Sequence, residues 1–313
     1  MKLNHILLPV LLSIAVLTLQ GCSITSHPTS KATLGKTSSS AEMERLLDQP
    51  GPVQLETINS ADWLVPLAGM LNLKRPAAIQ AGLKDRDEPI HIFAHVLRHP
   101  QYGIFIVDTG MSQQLLDEPE KYGLNWFLRK VMSISSIQIK NSTAKILEKE
   151  HTKLSGVFFT HLHTDHISGM ADIGNDTPLY VGKDESTQKA FLNIFTYGAT
   201  NKILEGKQSL QEWNFISIPQ DSFDGVVDIF GDGSAFAISV PGHTQGSTAY
   251  LLRTPKGPVL LTGDTSHTRW GWDNGVEPGD YTRDNDKNLQ SLLALKALVT
   301  RHPTIEVRLG HQD

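Results

Sequence analysis

The chain has 313 residues, 39% of them hydrophobic and 19% charged, with 25 Gly and 16 Pro. That balance is too apolar for a disordered chain and is enough for one large core or two small ones, with many turns. A net charge of −5 gives no basic footprint for a polyanion, so nucleic acid is set aside as a partner and a small-molecule substrate is expected.

The N-terminus is informative. Lys2 precedes an apolar stretch from Ile6 to Leu19, which ends in Leu19-Gln20-Gly21-Cys22. The stretch is short for a bilayer span and reads as a signal peptide over residues 1–21. Its end resembles the lipobox of bacterial lipoproteins, although Gln20 is a less usual choice there. The resemblance implies that Cys22 is acylated and becomes the N-terminus, holding the protein to the membrane through lipid. Ser23, by the same resemblance, favours the outer membrane facing the periplasm. A secretory signal with a chance Cys, giving a secreted or soluble periplasmic protein, is the alternative. Cys22 is the only cysteine, so an acylated Cys22 leaves no thiol for a disulfide or a metal. Residues 22–50, rich in Ser, Thr and Lys, read as a flexible tether, and 51–313 as one domain.

Beyond Pro52 the pattern alternates between strands and helices. Ile90 to Leu97 and Tyr102 to Val107 read as a hairpin turned near Pro100, ending in the polar turn Asp108-Thr109-Gly110. Tyr122 to Met132 reads as a helix with Leu124, Phe127, Leu128 and Val131 on one side. Asn141 to Glu150 reads as a helix capped by Asn141 or Ser142. Gly156 to Thr160 is a buried strand leading to His161, and Lys183 to Phe195 has helical character. Strands follow at Ala235 to Val240, Thr248 to Arg253 and Val259 to Thr262, then a leucine-rich helix from Asn288 to Val299. Ile305 to Leu309 is a last strand leading to His311.

The chemistry concentrates at His161-Leu162-His163-Thr164-Asp165-His166. In extended backbone, residues two apart point the same way, so His161 and His163 can face one ion. Asp165 and His166 follow where the chain turns into a helix starting near Ile167, in reach of a second ion. Three imidazoles and a carboxylate suit zinc, iron or manganese. His243 in Pro241-Gly242-His243-Thr244, Asp264 after Gly263, and His311 each end a strand with a further metal-ligand type.

Together these residues resemble the metallo-β-lactamase superfamily in its dinuclear form, from about residue 90 to the end. The resemblance implies an α/β fold, an αββα sandwich of two mixed β-sheets flanked by helices, with the site at one edge. It implies a first metal on His161, His163 and His243 and a second on Asp165, His166 and His311, with Asp264 bridging. The cofactors implied are two divalent ions, zinc first, with iron or manganese as alternatives. Asp108 orients a ligand imidazole on this reading, or caps its turn on the other. Asp264 stands where the β-lactamases of the superfamily have Cys or Ser, which argues against antibiotic hydrolysis. The set is closer to acyl-homoserine lactonases and glyoxalase II-like thioesterases. Lactonases carry Tyr three positions after the bridging Asp, where this chain has His267, so that substrate contact does not transfer.

The expected reaction is attack by a metal-bridging hydroxide on an ester, lactone or thioester. Asp165 is the expected catalytic carboxylate, binding metal and passing a proton to the leaving group. His267 is a candidate donor to substrate, or a histidine that merely supports the site. Trp270, Trp272 and Trp126-Phe127-Leu128 are candidates for an apolar wall or lid, with core packing the favoured reading. A phosphodiesterase on the same site is the second enzyme reading. A non-catalytic metal- or partner-binding lipoprotein is the reading from another class.

Overall fold

Side-chain alternation decides the layers. In strand Thr248–Thr254, Tyr250 and Leu252 face one core while Ala249 and Leu251 face another, as period-two geometry requires. The computed structural model describes residues 21–313. Two sheets dominate them. One has eight strands in the order Thr29–Lys31, Leu210–Glu212, Leu179–Val181, Gly156–Phe158, Gly103–Val107, Asp87–His99, Gln54–Pro66 and Gln138–Ile139. The other has six, in the order Glu306–Arg308, Gly257–Leu261, Thr248–Thr254, Ala235–Ser239, Val226–Asp228 and Lys36–Ser38. Both mix parallel and antiparallel pairs.

Phe105, Phe158 and Trp213 from the first sheet meet Tyr250, Leu252 and Leu261 from the second in an inter-sheet core. The outer face of the first sheet is covered by helices such as Thr143–Glu148 and Asn193–Leu204. That of the second is covered by Asn285–Arg301, through Leu292, Leu295 and Leu298. The molecule is thus the expected αββα sandwich, in which every layer buries one face of each strand.

The hairpin forms as expected, with His95 opposite Val107, and Ser142 caps the helix Thr143–Glu148. Three expectations are corrected. Residues 22–50 are not a loose tether: Thr29–Lys31 extends the eight-stranded sheet, Lys36–Ser38 extends the six-stranded sheet, and Ser40–Glu44 is a helix with a capping box at Ser39. The helix expected over 183–195 starts only at Asn193. Before it, Asp184 adopts a left-handed conformation and the chain turns. The helix expected over 122–132 is only Trp126–Val131; Leu124 and Leu128 enter the core, whereas Phe127 and Val131 face out. Trp272 packs in the core beneath Asn285–Arg301 and Trp270 is half-buried. The expected leader lies, except for Gly21, outside the described residues; among the described residues no helix is long and apolar enough to cross a membrane.

Candidate metal centre

Five strands end on one edge of the sandwich, and each delivers a polar residue there. Gly103–Val107 leads to Asp108, Gly156–Phe158 to His161, Ala235–Ser239 to His243, Gly257–Leu261 to Asp264 and Glu306–Arg308 to His311. After His163 the chain enters a short helix, Thr164–Ile167, three residues earlier than expected, so Asp165 and His166 project from its first turn. Two glycines allow the close approach. Gly242, at φ 145°, lies where a Cβ would strike the backbone of Asn288, and a Cβ at Gly310 would collide with the Asp264 carboxylate.

The side chains converge on one oxygen. Asp264 Oδ2 lies 3.6 Å from His161 Nε2, 3.4 Å from His243 Nε2, 3.2 Å from His166 Nε2 and 3.3 Å from His311 Nε2. His163 Nδ1 is 2.9 Å from His243 Nε2, and Asp165 Oδ2 is 3.3 Å from His311 Nε2. Donors held about 2.0–2.1 Å from one ion stand roughly 3 Å apart across a coordination edge, and these separations have that size. Two groups of four result, His161, His163, His243 and Asp264, and Asp165, His166, Asp264 and His311. The expected ligand residues are therefore all brought together, as two sets sharing Asp264.

The far ring nitrogens are already committed, which fixes where the near ones point. His166 Nδ1 meets Asp108 Oδ2 at 2.8 Å, His311 Nδ1 donates to the His91 carbonyl at 2.8 Å, and His243 Nδ1 meets Thr282 Oγ1 at 3.1 Å. Asp108 thus orients a ligand imidazole; its carboxylate also accepts from Thr160 N at 2.8 Å, on the loop that carries His161, and not from its own turn. Its own φ of 51° is a conformation that Asp tolerates. His161 Nε2, Asp264 Oδ1 and His267 Nε2 are buried with no hydrogen-bond partner among the described residues. Orphaned buried donor atoms of these types fit a pair of divalent cations.

Electrostatics agree. Burial pushes the His161 and His243 imidazoles well below the usual histidine range and His163 down to about 4. That keeps the first set in the neutral form a metal requires. At His166 burial is outweighed by Asp264, Asp165 and Asp108, which hold it well above that range, and His311 is raised in the same way by Asp264 and Asp165. The second position favours positive charge, whether a proton's or a cation's.

His267 lies inside this cluster, its ring 5.1 Å from that of His243 and 5.2 Å from that of His311. Its Nδ1 is 3.2 Å from the Met70 carbonyl, which can only accept, so Nδ1 carries the proton. Nε2 then faces Asp264 Oδ2 at 2.9 Å. In the neutral ring that nitrogen has no proton to give a substrate.

Two buried residues that sequence reading passed over tie the loops together. Glu185 accepts from Leu162 N at 2.9 Å and from Gly246 N at 3.0 Å, joining the His161–His163 loop to the His243 loop. Asn288 accepts from His243 N at 2.9 Å and donates to the Thr265 carbonyl at 3.0 Å. Neither residue has a recognisable spacing to its partners.

Beneath the site, His95 is buried, and its Nδ1 is 2.7 Å from the Thr57 hydroxyl, which also receives Arg308. Burial, then the Arg308 charge, lowers its pKa to about 3. A depressed histidine pKa contributes stability that is whole above the unfolded value near 6.5 and is lost as pH falls toward about 3. Each unit below 6.5 is expected to cost about 1.4 kcal/mol through this residue. Urea midpoints of the wild type and His95→Gln at neutral pH and one unit below 6.5 check this. Equal acid sensitivity in the two proteins would exclude the assignment.

The family model described as the metallo-beta-lactamase superfamily matches residues 89–311. The N-acyl homoserine lactonase AttM of Azorhizobium caulinodans is 26% identical over 72% of this chain and 83% of its own length. A hydroxyacylglutathione hydrolase of Bartonella tribocorum is 25% identical over 54% of this chain and 50% of its own length. Among solved structures, a quorum-quenching N-acyl homoserine lactone lactonase superposes with a TM-score of 0.60 at 18% identity, over 84% of this chain and 93% of that one. A hydrolase of the β-lactamase superfamily, AbOPH, gives 0.57 at 15%, over 91% and 92%. These two likenesses speak to the fold.

Proposed function

The chain belongs to the metallo-β-lactamase superfamily, and from that premise we propose that it opens the ring ester of a small amphipathic lactone at a dinuclear zinc centre. The observation that carries this is the sharing of Asp264 between two donor sets, His161, His163 and His243 on one side and Asp165, His166 and His311 on the other. Five imidazoles and two carboxylates without a thiol suit zinc. A lactone is preferred to a thioester because the lactonase similarity spans 72% of the chain and the hydroxyacylglutathione hydrolase similarity 54%. A pair of divalent ions, when bound, supplies hydroxide near neutral pH and a Lewis acid for the carbonyl oxygen.

The protein's own groups do the rest. Asp165 is the carboxylate of the site with side-chain exposure, 17%. Its Oδ2 faces His166 and His311, and Oδ1 makes no hydrogen bond among the described residues, leaving an oxygen to carry a proton to the leaving alkoxide. His267, its Nδ1 proton committed to the Met70 carbonyl, presents Nε2 to the donor cluster as an acceptor and has no proton-donating role. The mature chain is held at the outer membrane, facing the periplasm, through Cys22. The Cys22 sulfur takes a diacylglyceryl group from a phosphoglyceride, whose phosphate headgroup leaves with the thiol proton. Water then cleaves the Gly21–Cys22 peptide bond.

Elemental analysis and a panel of lactones, esters, thioesters and phosphodiesters test this. Two zinc ions per chain and fastest turnover of a lactone are expected; metal-replete protein that cleaves only phosphodiesters, or nothing, overturns the reading. Asp165→Ala is expected to lower kcat by at least about 100-fold. Full activity in that variant rules out its role.

A further inference from the structure

Exposed aromatic side chains cluster beside the start of the described chain. Trp126, Phe127 and Val131 project from helix Trp126–Val131, and Phe191, Leu192 and Phe195 from the start of Asn193–Leu204 and the turn before it. They are contiguous: the Phe127 and Phe195 rings lie 6.2 Å apart and those of Phe191 and Phe195 5.8 Å. Trp126 is 69% exposed, whereas Trp63, Trp213 and Trp272 are buried. Single apolar side chains at a surface are ordinary, but a joined aromatic patch marks a surface that something covers.

Cys22 sits on the rim of this patch. Strand Cys22–Ser23 pairs with Lys189–Ala190, placing Cys22 opposite Ala190 and next to Phe191. Asn193 donates to the Cys22 carbonyl at 3.1 Å. The residues that follow leave no slack, because Ile24 is fully buried and Thr25 and Ser26 both bond to Asn201 of the same helix. Acyl chains on Cys22 therefore leave the protein at the patch and hold its orientation. The exposed Lys130 and Lys189 flank it and suit anionic headgroups. A groove lined by Phe191, Leu192, Asp280, Thr282, Arg283 and Asp284 adjoins the patch, and Thr282 bonds the outer nitrogen, Nδ1, of His243 at 3.1 Å.

We propose that this patch docks on the lipid bilayer, so that the groove beside the His243 loop lies at the membrane interface and the protein meets acylated, bilayer-partitioning substrates there. The inference rests on the lipid-anchored lactonase reading. Two acyl chains on Cys22 anchor the chain, and the patch adds apolar area beside them that sets which face of the domain meets the bilayer.

The test uses the full chain, extracted from bacterial membranes and reconstituted into vesicles of phosphatidylethanolamine and phosphatidylglycerol. Phospholipids brominated in mid-chain quench tryptophan that enters the bilayer. Loss of most of the Trp126 component, defined as the emission absent from Trp126→Phe, is expected, with Phe127→Ser/Phe195→Ser relieving the loss. Trp126 emission that ignores bromolipid yet responds to aqueous iodide shows a tethered but undocked domain and overturns the proposal. Emission shielded from both quenchers shows that a second copy or another protein covers the patch, and overturns it equally. Mass spectrometry of the same sample reads acylation of Cys22 separately. Unacylated protein can be mixed with the same vesicles, so failure of the anchor and failure of the docking surface give different results, neither depending on hydrolysis.

Discussion

Asp264→Ala is expected to remove both metals at once, with bound metal falling from two per chain to less than one and kcat/KM by about 1,000-fold or more. The expectation follows from a single atom. Asp264 Oδ2 is within 3.6 Å of His161, His243, His166 and His311, and each donor set keeps only three members without it. The carboxylate is buried, with His267, His166 and His311 holding it well below the usual carboxylate range despite that burial. In the metal-free chain its loss leaves Asp108 and Asp165 as the counter-charges of His166 and Asp165 alone as that of His311, which lowers stability by about 1 kcal/mol or more. Asp264→Asn keeps the shape and one acceptor, and should retain one ion with weakened affinity. Atomic emission on dialysed protein, with circular dichroism as a check of folding, reads the outcome. An Asp264→Ala protein that still holds two ions would disprove the bridging assignment.

The candidate metal-binding cluster was legible because its members follow strands that read clearly. Gly156–Phe158 and Gly257–Leu261 are almost wholly apolar, and the polar residue after each stands out. Long-range organisation was not legible. Strand Gln54–Pro66 carries Glu56, Asn59 and Asp62, and its register against Asp87–His99 shifts between Asn59 and Ala61. A bulge of that kind breaks the period-two pattern by which a strand is recognised. Residues 22–50 have a linker's composition, yet their strands pair with Leu210–Glu212 and Val226–Asp228, far away in the chain. Composition carries no record of such partners. His267 shows the limit at the site itself. Its position three residues after Asp264 brought it to notice, but only the Met70 carbonyl, nearly two hundred residues away, decides which nitrogen holds the proton.

Glu185 carries the second large expectation because it joins two ligand loops from outside the metal shell. Leu162, whose N–H it accepts, lies between His161 and His163, and Gly246 follows His243 by three residues. Glu185 is fully buried, and burial raises its pKa. Removing the carboxylate leaves two buried N–H groups without an acceptor, at about 1–3 kcal/mol each. Glu185→Ala should therefore lower the melting temperature and also weaken metal binding by about 10–100-fold, as loss of a supporting shell does elsewhere. The weakening should be greatest at the position held by His161, His163 and His243, because Leu162 lies between two of those ligands and Gly246 closely follows the third, whereas Asp165 and His166 project from the helix after His163 and His311 has no such tie. Glu185→Gln keeps one carbonyl acceptor but turns an amide N–H against the other backbone N–H, so it should fall between the two. Stepwise competition with a chelator separates the sites. A lower melting temperature with both affinities unchanged would reduce Glu185 to a packing residue, whereas one ion weakened well beyond the other identifies it as the residue that positions the first metal set.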